Sequence, residues 1–308
     1  MMKHFLTLAD LTPEEFHAIL DIAVGLKKEQ QAGGNQPILK GKVMGMIFQK
    51  PSLRTRVSFD VAMLQLGGHA LYLSPSEIQL GKRESVADVA RVLSRFVNII
   101  MARVFSHADI VELAKYATVP VINGLSDYSH PCQGMGDFLT ILEHKGELKG
   151  KKLAFLGDGN NVSTSLLFAA AKTGMDFTIG MPRGHELHPA VWKMGQNFAA
   201  ESGSKLLATY DPIEAVTDAD VIYTDVWASM GQEAEAEERK AVFPPYQVNV
   251  EKLKHAREDV MVLHCLPAHR GEEITDAVAD GPHSALFDQA ENRLHAQKAI
   301  IAWLLDAA

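Results

Sequence analysis

Short apolar runs alternate with longer amphipathic stretches along the chain from residue 40 onward. The runs are rich in β-branched residues, and each is bounded by glycine, proline, aspartate or a charged helical segment. This alternation predicts βαβ units with parallel strands. Strands are predicted at residues 43–48, 97–102, 119–122, 153–156, 177–179, 205–208, 221–223 and 260–263, and helices at 57–66, 110–116, 166–172 and 289–305.

The length of the chain favours two domains. With 308 residues it exceeds the size at which one hydrophobic core usually stops growing. A polar segment with two glycines lies near the middle, at residues 143–152, and is typical of a domain boundary. We therefore expect an α/β fold of two doubly wound parallel-sheet domains, joined by a hinge at residues 145–150.

Composition and charge narrow the class of protein. Hydrophobic residues make up 47% and charged residues 22% of the chain, which is ordinary for a globular protein. A formal net charge of -8 argues against the basic face that nucleic-acid binding needs. The sequence has no signal-peptide pattern and no apolar window of the ~18 residues that a membrane span needs, so we expect a cytoplasmic protein. Cys132 and Cys265 lack CxxC spacing, which argues against a disulfide framework or a structural zinc site.

The segment Ser52-Leu53-Arg54-Thr55-Arg56 carries an anion-binding pattern. It follows a predicted strand and opens a predicted helix, so hydroxyl groups, guanidinium groups and unpaired backbone N–H groups meet at a helix N-terminus. This combination binds phosphate through the amides, the helix dipole and charge-assisted hydrogen bonds. The alternative is a serine or threonine N-cap beside two surface arginines.

Two further segments follow strands of the same predicted sheet. Arg103 comes directly after the run at 97–102, so we expect it at the carboxyl end of a parallel strand, where open α/β sheets bind ligands. His130 and Gln133 follow the strand at 119–122. The imidazole can donate to an oxygen that gains negative charge, and the amide can hold an amide-like group. A surface arginine and a capping histidine beside a turn proline are the structural alternatives.

The turn Gly157-Asp158-Gly159-Asn160-Asn161 resembles the start of a dinucleotide-binding fingerprint. Val162 occupies the place of the third glycine, and no acid for a ribose hydroxyl follows about twenty residues on. A different functional interpretation fits better than dinucleotide binding. In it, an asparagine side chain of this turn contacts a polar ligand. A purely structural turn is the alternative.

Two more strand ends carry polar side chains. Asp225 lies four residues before the start of the segment Ser229-Met230-Gly231. It could hold a cationic amine or cap a helix that starts at Gln232. The segment His264-Cys265-Leu266-Pro267 could be mistaken for a metal-binding pair. Adjacent side chains in an extended segment point to opposite faces, so we expect no shared metal ion.

Taken together, these segments resemble the carbamoyltransferase superfamily, whose carbamoyl-phosphate signature is a Ser-x-Arg-Thr-Arg loop followed by His-Pro-x-Gln. Both occur here, at residues 52–56 and 130–133. The ornithine branch is indicated by Asp225-x-x-x-Ser229-Met230-Gly231 and by the segment at 264–267. The resemblance runs from about residue 4 to 305. Leu53 departs from the threonine of many members, but backbone amides can bind here, so the loop assignment is kept.

The resemblance implies transfer of the carbamoyl group of carbamoyl phosphate to the side-chain amine of ornithine. It implies no metal or organic cofactor, because the leaving group is already activated, and a homotrimer with shared active sites or a multiple of trimers. It also implies a carbamoyl-phosphate-binding domain at residues 1–146, with the C-terminal helix at 289–308 packing back on it, and an ornithine-binding domain at 147–288.

Roles for individual residues follow from the same resemblance. The phosphate group would be bound by Ser52, Leu53, Arg54, Thr55 and Arg103. The carbamoyl group would be held by His130, Gln133, Arg293 and the backbone carbonyls of Cys265 and Leu266, with Gln79 donated to a neighbouring subunit's site. Ornithine would be bound by Asn161, Asp225, Ser229 and Met230. The catalytic residues would be Arg103, His130 and Cys265, with Thr55 helping to stabilise the oxyanion.

Three alternatives to this function stay open at the level of sequence. A carbamoyltransferase could use another acceptor, such as aspartate or putrescine, although an aspartate enzyme is expected to replace the segment at 264–267. A nicotinamide dehydrogenase would need the glycine fingerprint that fails after Gly157. A non-catalytic binding protein with this fold would be expected to have lost His130 or Arg103, and both are present.

Overall fold

The structure is a computed structural model that describes residues 2–228 and 235–307. The chain forms two compact units, one made of Met1–Leu139 and Asn292–Ala308 and the other of Thr140–Glu291. Each unit is an α/β domain whose strands pair only in parallel within the described part of the chain. The predicted fold class is confirmed. The predicted domain limits at residues 146 and 288 stay a prediction.

The first unit is built on a sheet with strand order β2-β1-β3-β4. The inner strands carry buried apolar side chains, and helices cover the sheet. The strands are β1 (Val43–Phe48), β2 (His69–Leu73), β3 (Ile99–Arg103) and β4 (Val121–Leu125), and the helices are α1 (Pro13–Gln31), α2 (Leu53–Gln65), α3 (Pro75–Ile78), α4 (Val86–Leu93), α5 (His107–Tyr116) and the start of α6 (Pro131–Lys145).

Strand β2 has no counterpart in the sequence prediction. It lies at the edge of the sheet, and none of its residues is fully buried, so it lacks the continuous apolar run of the inner strands.

The start of helix α1 follows local capping rules. Thr12 accepts a hydrogen bond from the backbone N–H of Glu15, whose carboxylate accepts from the N–H of Thr12, and this capping box starts α1.

The second unit is built on a sheet with strand order β7-β6-β5-β8-β9. Its strands are β5 (Lys152–Leu156), β6 (Asp176–Gly180), β7 (Leu206–Thr209), β8 (Val221–Thr224) and β9 (Met261–His264), and its helices are α7 (Asn161–Thr173), α8 (Pro189–Ser202), α9 (Pro212–Val216), α10 (Ala236–Val242), α11 (Val250–Leu253) and α12 (Asp276–Ala279). Every residue of α7 from Val162 to Thr173 is buried, so this helix is the central one of the unit.

The C-terminal helix α13 (Leu286–Leu304) contacts the first unit, as predicted. The ammonium group of Lys298 is hydrogen-bonded to the side-chain oxygens of Gln30, at 3.3 Å, and Asn35, at 2.5 Å. A Cβ atom built at Gly136 of α6 would lie 3.3 Å from the Cα atom of Arg293. Because glycine lacks a Cβ atom, the backbones of α6 and α13 can approach closely at Gly136. This approach sets the position of Arg293.

In each unit the order of the strands reverses at one place in the sheet. The reversal falls between β1 and β3 in the first unit and between β5 and β8 in the second. Open α/β sheets bind ligands beyond the carboxyl ends of the strands that flank such a switch point. Among the described helices, none is both long enough and apolar enough to cross a membrane.

Candidate active site

The switch point of the first unit brings the two predicted anion-binding segments together. Phe48, the last residue of β1, is the register partner of Arg103, the last residue of β3. Helix α2 starts shortly after β1, so its N-terminus lies at the same edge of the sheet as Arg103. The predicted neighbourhood of these two segments is thus present in the structure.

Thr55 lies at the centre of this cluster and is completely buried. Its hydroxyl oxygen accepts hydrogen bonds from Arg293 Nη2 at 2.8 Å, from Ser52 Oγ at 3.1 Å and from Arg103 Nη1 at 3.4 Å. Two guanidinium groups from β3 and α13 therefore converge on the first turn of α2. An anion at this position would meet both charges.

The N-terminus of α2 keeps its backbone N–H groups available. Ser52 occupies the N-cap position, but its side chain makes no capping hydrogen bond. The Nε atom of Arg54 is buried and has no hydrogen-bond partner among the described residues. Leu53 is 75% exposed, so its side chain takes no part in the cluster. Arg56 does not join the cluster, because its guanidinium group lies over the Tyr72 ring at 4.0 Å.

His130 immediately precedes α6 and is 5% exposed. Burial, followed by the positive charges of Arg293, Arg103 and Arg54, holds the pKa of His130 well below its usual value of 6.5. The imidazole is therefore neutral at physiological pH in the free protein. A neutral imidazole keeps one N–H group that can donate to an oxygen atom.

Gln133 lies in the first turn of α6 and is 1% exposed. Its amide nitrogen donates to the carboxylate of Asp137 at 2.7 Å, one helical turn further along. Sequence reasoning missed Asp137. The i, i+4 spacing of glutamine and aspartate, which brings the two side chains together when the segment is helical, was the available signal.

Gln79 is not brought to the arginine cluster by any contact within the described residues. It caps the end of α3 in a left-handed conformation, is exposed, and its amide nitrogen is 3.4 Å from the carbonyl oxygen of Ser76. It lines a separate cavity of about 300 Å³ in the first unit, together with Gln49, Lys82 and Phe105.

The switch point of the second unit is occupied by Asp225, which directly follows β8 and is 6% exposed. One carboxylate oxygen accepts from the amide nitrogen of Asn160 at 3.0 Å. The other accepts from the thiol of Cys265 at 3.0 Å and from the backbone N–H of Val226 at 2.8 Å. Side chains that follow β5, β8 and β9 thus meet around one carboxylate.

The asparagine that contacts Asp225 is Asn160, and the role of Asn161 in binding ornithine stays a prediction. Asn160 is the N-cap of α7 and also accepts from the backbone N–H groups of Val162 and Ser163. Asn161 is the first residue of α7 and is partly buried. Predicted residues Ser229 and Met230 lie outside the described residues.

The expectation that His264 and Cys265 point apart is wrong. Ligand atoms of Asp225, His264 and Cys265 all lie within 4.8 Å of one another, because β9 ends at His264 and strand alternation stops there. Both ring nitrogens of His264 are engaged, one with Glu273 at 3.0 Å and the other with the backbone N–H of Leu266 at 2.8 Å. The imidazole therefore serves to shape the 264–267 segment.

Fold and side chains together define a class: an α/β protein of two parallel-sheet domains, with an arginine cluster at the switch point of one sheet and a carboxylate at that of the other. Residues 3–143 match the family model described as "Aspartate/ornithine carbamoyltransferase, carbamoyl-P binding domain". Residues 149–304 match the one described as "Aspartate/ornithine carbamoyltransferase, Asp/Orn binding domain". The chain belongs to the aspartate/ornithine carbamoyltransferase family, which confirms the resemblance predicted from its motifs.

Similar proteins cover nearly the whole chain. An ornithine carbamoyltransferase of Pyrococcus abyssi is 58% identical over 303 residues, which is 98% of this chain and 96% of the relative. The solved structure of the ornithine carbamoyltransferase from Pyrococcus furiosus is 57% identical, with a TM-score of 0.96 over 99% of this chain and 97% of that one. The anabolic ornithine carbamoyltransferase from Campylobacter jejuni is 39% identical, with a TM-score of 0.94 over the full length of both chains.

Proposed function

We propose that this protein transfers the carbamoyl group of carbamoyl phosphate to the side-chain amine of L-ornithine, giving L-citrulline and phosphate. Relatives at 57–58% identity over nearly the whole chain are named ornithine carbamoyltransferase, which favours ornithine over aspartate or putrescine as acceptor. The observation that carries the proposal is the convergence of Arg103 and Arg293 on the Thr55 hydroxyl at the switch point of the first sheet.

The phosphate group of the donor binds at the N-terminus of α2. Backbone N–H groups of Leu53 and its neighbours, the Ser52 and Thr55 hydroxyls, and the guanidinium groups of Arg54 and Arg103 supply donors and positive charge there. Each charge-assisted contact of this kind contributes about 1.5–3 kcal/mol. The same cluster stabilises the phosphate that leaves at the end of the reaction.

The carbamoyl group is held by His130, Gln133 and Arg293. Attack on the carbamoyl carbon converts its carbonyl oxygen into an oxyanion, and donors aimed at that oxygen lower the barrier. The neutral imidazole of His130, the guanidinium group of Arg103 and the hydroxyl of Thr55 fill this role. Backbone carbonyls of Cys265 and Leu266 are proposed to accept from the carbamoyl NH₂ group, as the family resemblance implies.

Ornithine is held through its α-amino and α-carboxylate groups. Asp225, which already accepts three hydrogen bonds, attracts the α-ammonium group. Asn161, Ser229 and Met230 are assigned to ornithine binding by the family resemblance. Cys265 donates its thiol to the same carboxylate and so fixes its orientation. The side-chain amine, with a solution pKa near ~10.4 by analogy to lysine, must be neutral to attack, and a desolvated site favours the neutral form.

Assembly as a homotrimer, or a multiple of trimers, is proposed from the family resemblance and from the position of Gln79. This side chain is exposed, and its amide nitrogen contacts the backbone of Ser76 and not the arginine cluster, which fits a contribution to a neighbouring subunit. Mixed oligomers of Gln79→Ala and Arg54→Ala subunits should then regain activity that neither variant has alone. Failure to regain activity in verified mixed oligomers would mean that each site is complete within one chain.

A cytoplasmic location and a biosynthetic direction complete the proposal. Neither Cys132 nor Cys265 forms a disulfide bond, which supports a reducing compartment. The relative from Pyrococcus furiosus is named anabolic, and this supports a role in arginine biosynthesis.

The experiment that tests the function measures both products at once. With carbamoyl phosphate and ornithine, citrulline and inorganic phosphate should form in equal amounts, and omission of ornithine should stop phosphate release beyond the spontaneous rate. Phosphate release without citrulline would indicate a hydrolase and would overturn the proposal.

A further inference from the structure

The amide group of Gln133 has two different environments in the first unit. Its nitrogen donates to an oxygen of Asp137 at 2.7 Å. Its carbonyl oxygen is buried and has no hydrogen-bond partner within the described part of the chain. A buried carbonyl oxygen without a partner is costly, so such an oxygen is usually matched by a donor that the bound state supplies.

Asp137 fixes which end of the amide is available to a ligand. The two ends of a glutamine amide have nearly the same shape and opposite hydrogen-bonding roles. The Asp137 oxygen accepts from the NH₂ end of Gln133, so the carbonyl oxygen of the amide takes no part in this pairing. Asp137 is itself completely buried and sits one helical turn from Gln133, so the pairing is held by α6.

The arginine cluster lies beside this amide. His130, three residues before Gln133, is close enough to Arg293, Arg103 and Arg54 for their charges to lower its pKa. On the other side of Gln133, Gly136 abuts the backbone of Arg293. Gln133 therefore lies in sequence between His130, whose pKa the charges of the cluster lower, and Gly136, which abuts Arg293.

We propose that Asp137 is a positioning residue that acts through Gln133 to select acyl phosphates whose acyl group carries an N–H donor. The inference rests on the proposed role of Gln133 in holding the carbamoyl group. Carbamoyl phosphate presents an NH₂ group where acetyl phosphate, of similar size, presents a methyl group. An acceptor held in place bonds the NH₂ group and gains nothing from the methyl group. A reversed amide would instead set one NH₂ group against another.

The test compares three ligands on the folded, full-length protein. Dissociation constants for carbamoyl phosphate, acetyl phosphate and inorganic phosphate are measured by calorimetry for the native protein and for Asp137→Asn. Asparagine has the shape of aspartate but can also donate, so the Gln133 amide is no longer held in one orientation. Affinity for carbamoyl phosphate should fall about tenfold, while affinity for the other two ligands should change by less than about twofold.

A double-mutant cycle distinguishes positioning from general damage. In a Gln133→Met background, Asp137→Asn should leave the preference for carbamoyl phosphate over acetyl phosphate unchanged, because the amide through which Asp137 acts is gone. Asp137→Glu, which keeps an acceptor-only group, should retain part of the preference. If Asp137→Asn does not fold, Asp137→Ser removes the carboxylate in the same comparison.

Several results would overturn the inference. An unchanged ligand preference in Asp137→Asn would leave the carbamoyltransferase function intact and remove the role of Asp137. An equal loss of affinity for all three ligands would assign Asp137 a structural role only. A loss of preference that persists in the Gln133→Met background would exclude action through Gln133. If the native protein does not bind carbamoyl phosphate, the proposed function fails and the inference fails with it.

Discussion

Arg293 Nη2 donates a 2.8 Å hydrogen bond to the hydroxyl of Thr55, a residue 238 positions earlier in the chain. The C-terminal helix thereby brings a guanidinium group to the N-terminus of α2, where Arg103 arrives from the neighbouring strand. Side chains from three segments that are distant in the sequence thus contact one another at the Thr55 hydroxyl group. A site assembled in this way is sensitive to small changes in any one of the segments.

The two arginines of the 52–56 segment provide a matched pair of variants. Arg54 lies near His130, and its charge lowers the His130 pKa, whereas Arg56 stacks on Tyr72. Arg54→Ala should weaken carbamoyl phosphate binding roughly tenfold or more, because it removes a charge-assisted contact of about 1.5–3 kcal/mol. Arg56→Ala should change the affinity by less than about threefold. Equal losses in calorimetric titrations of both variants would contradict the assignment.

The state of His130 gives a pH prediction. Its pKa in the folded protein lies below the value of 6.5 expected in the unfolded chain. The unfolded chain therefore takes up a proton first as the pH falls, and the free energy of unfolding should drop by up to about 1.4 kcal/mol per pH unit below pH 6.5. His130→Asn should reduce this slope in denaturant titrations between pH 5 and 7.

The same prediction has a direct spectroscopic readout. Nuclear magnetic resonance of the His130 ring should show the neutral form in the free protein at about pH 6. Added inorganic phosphate should raise the His130 pKa, because a nearby anion favours the charged imidazole. A ring that titrates at or above its ordinary value in the free protein would contradict this electrostatic picture.

Lys298 provides a second pH prediction, concerned with stability alone. It is completely buried among Gln30 and Asn35, and burial lowers its pKa from 10.5 to about 8. Between pH 8 and 10.5 the folded protein has lost this proton and the unfolded chain still holds it, so stability from this group rises with pH across that window.

The variant that tests this is Lys298→Met, which has a similar length and no charge. Its free energy of unfolding, relative to that of the native protein, should fall by up to about 3 kcal/mol between pH 8 and 10.5. Denaturant titrations at both pH values measure the change. A relative stability that is constant with pH would show that Lys298 keeps its ordinary pKa.

Much of the fold follows from local patterns in the sequence. The inner strands β1 and β5 have continuous apolar runs, which sequence patterns detect, whereas the edge strand β2 is half-exposed and lacks such a run. The grouping of polar side chains at strand ends could be predicted, because the carboxyl ends of parallel strands all lie at one edge of the sheet. In both sheets the candidate residues flank the switch point.

The parts that could not be predicted depend on side-chain direction. Asn160 and Asn161 are neighbours in sequence, and only the capping geometry of α7 determines that Asn160 meets Asp225. The approach of the His264 and Cys265 side chains depends on where β9 ends, which the apolar pattern does not fix to a single residue. Asp137 was missed because its function depends on an atom of Gln133, not on its own contact with a ligand.

The central claim is that Asp225 belongs to a pocket for an amino-acid acceptor, and that the donor binds independently at the arginine cluster. The most direct measurement compares native protein with Asp225→Asn, using kcat/KM for ornithine and for putrescine together with the carbamoyl phosphate dissociation constant measured without acceptor. Native protein should prefer ornithine strongly. Asp225→Asn should raise the ornithine KM sharply and leave carbamoyl phosphate affinity nearly unchanged, because it removes only the charge that pairs with the α-ammonium group. A native preference for putrescine, or an equal weakening of both substrates in Asp225→Asn, would contradict the account.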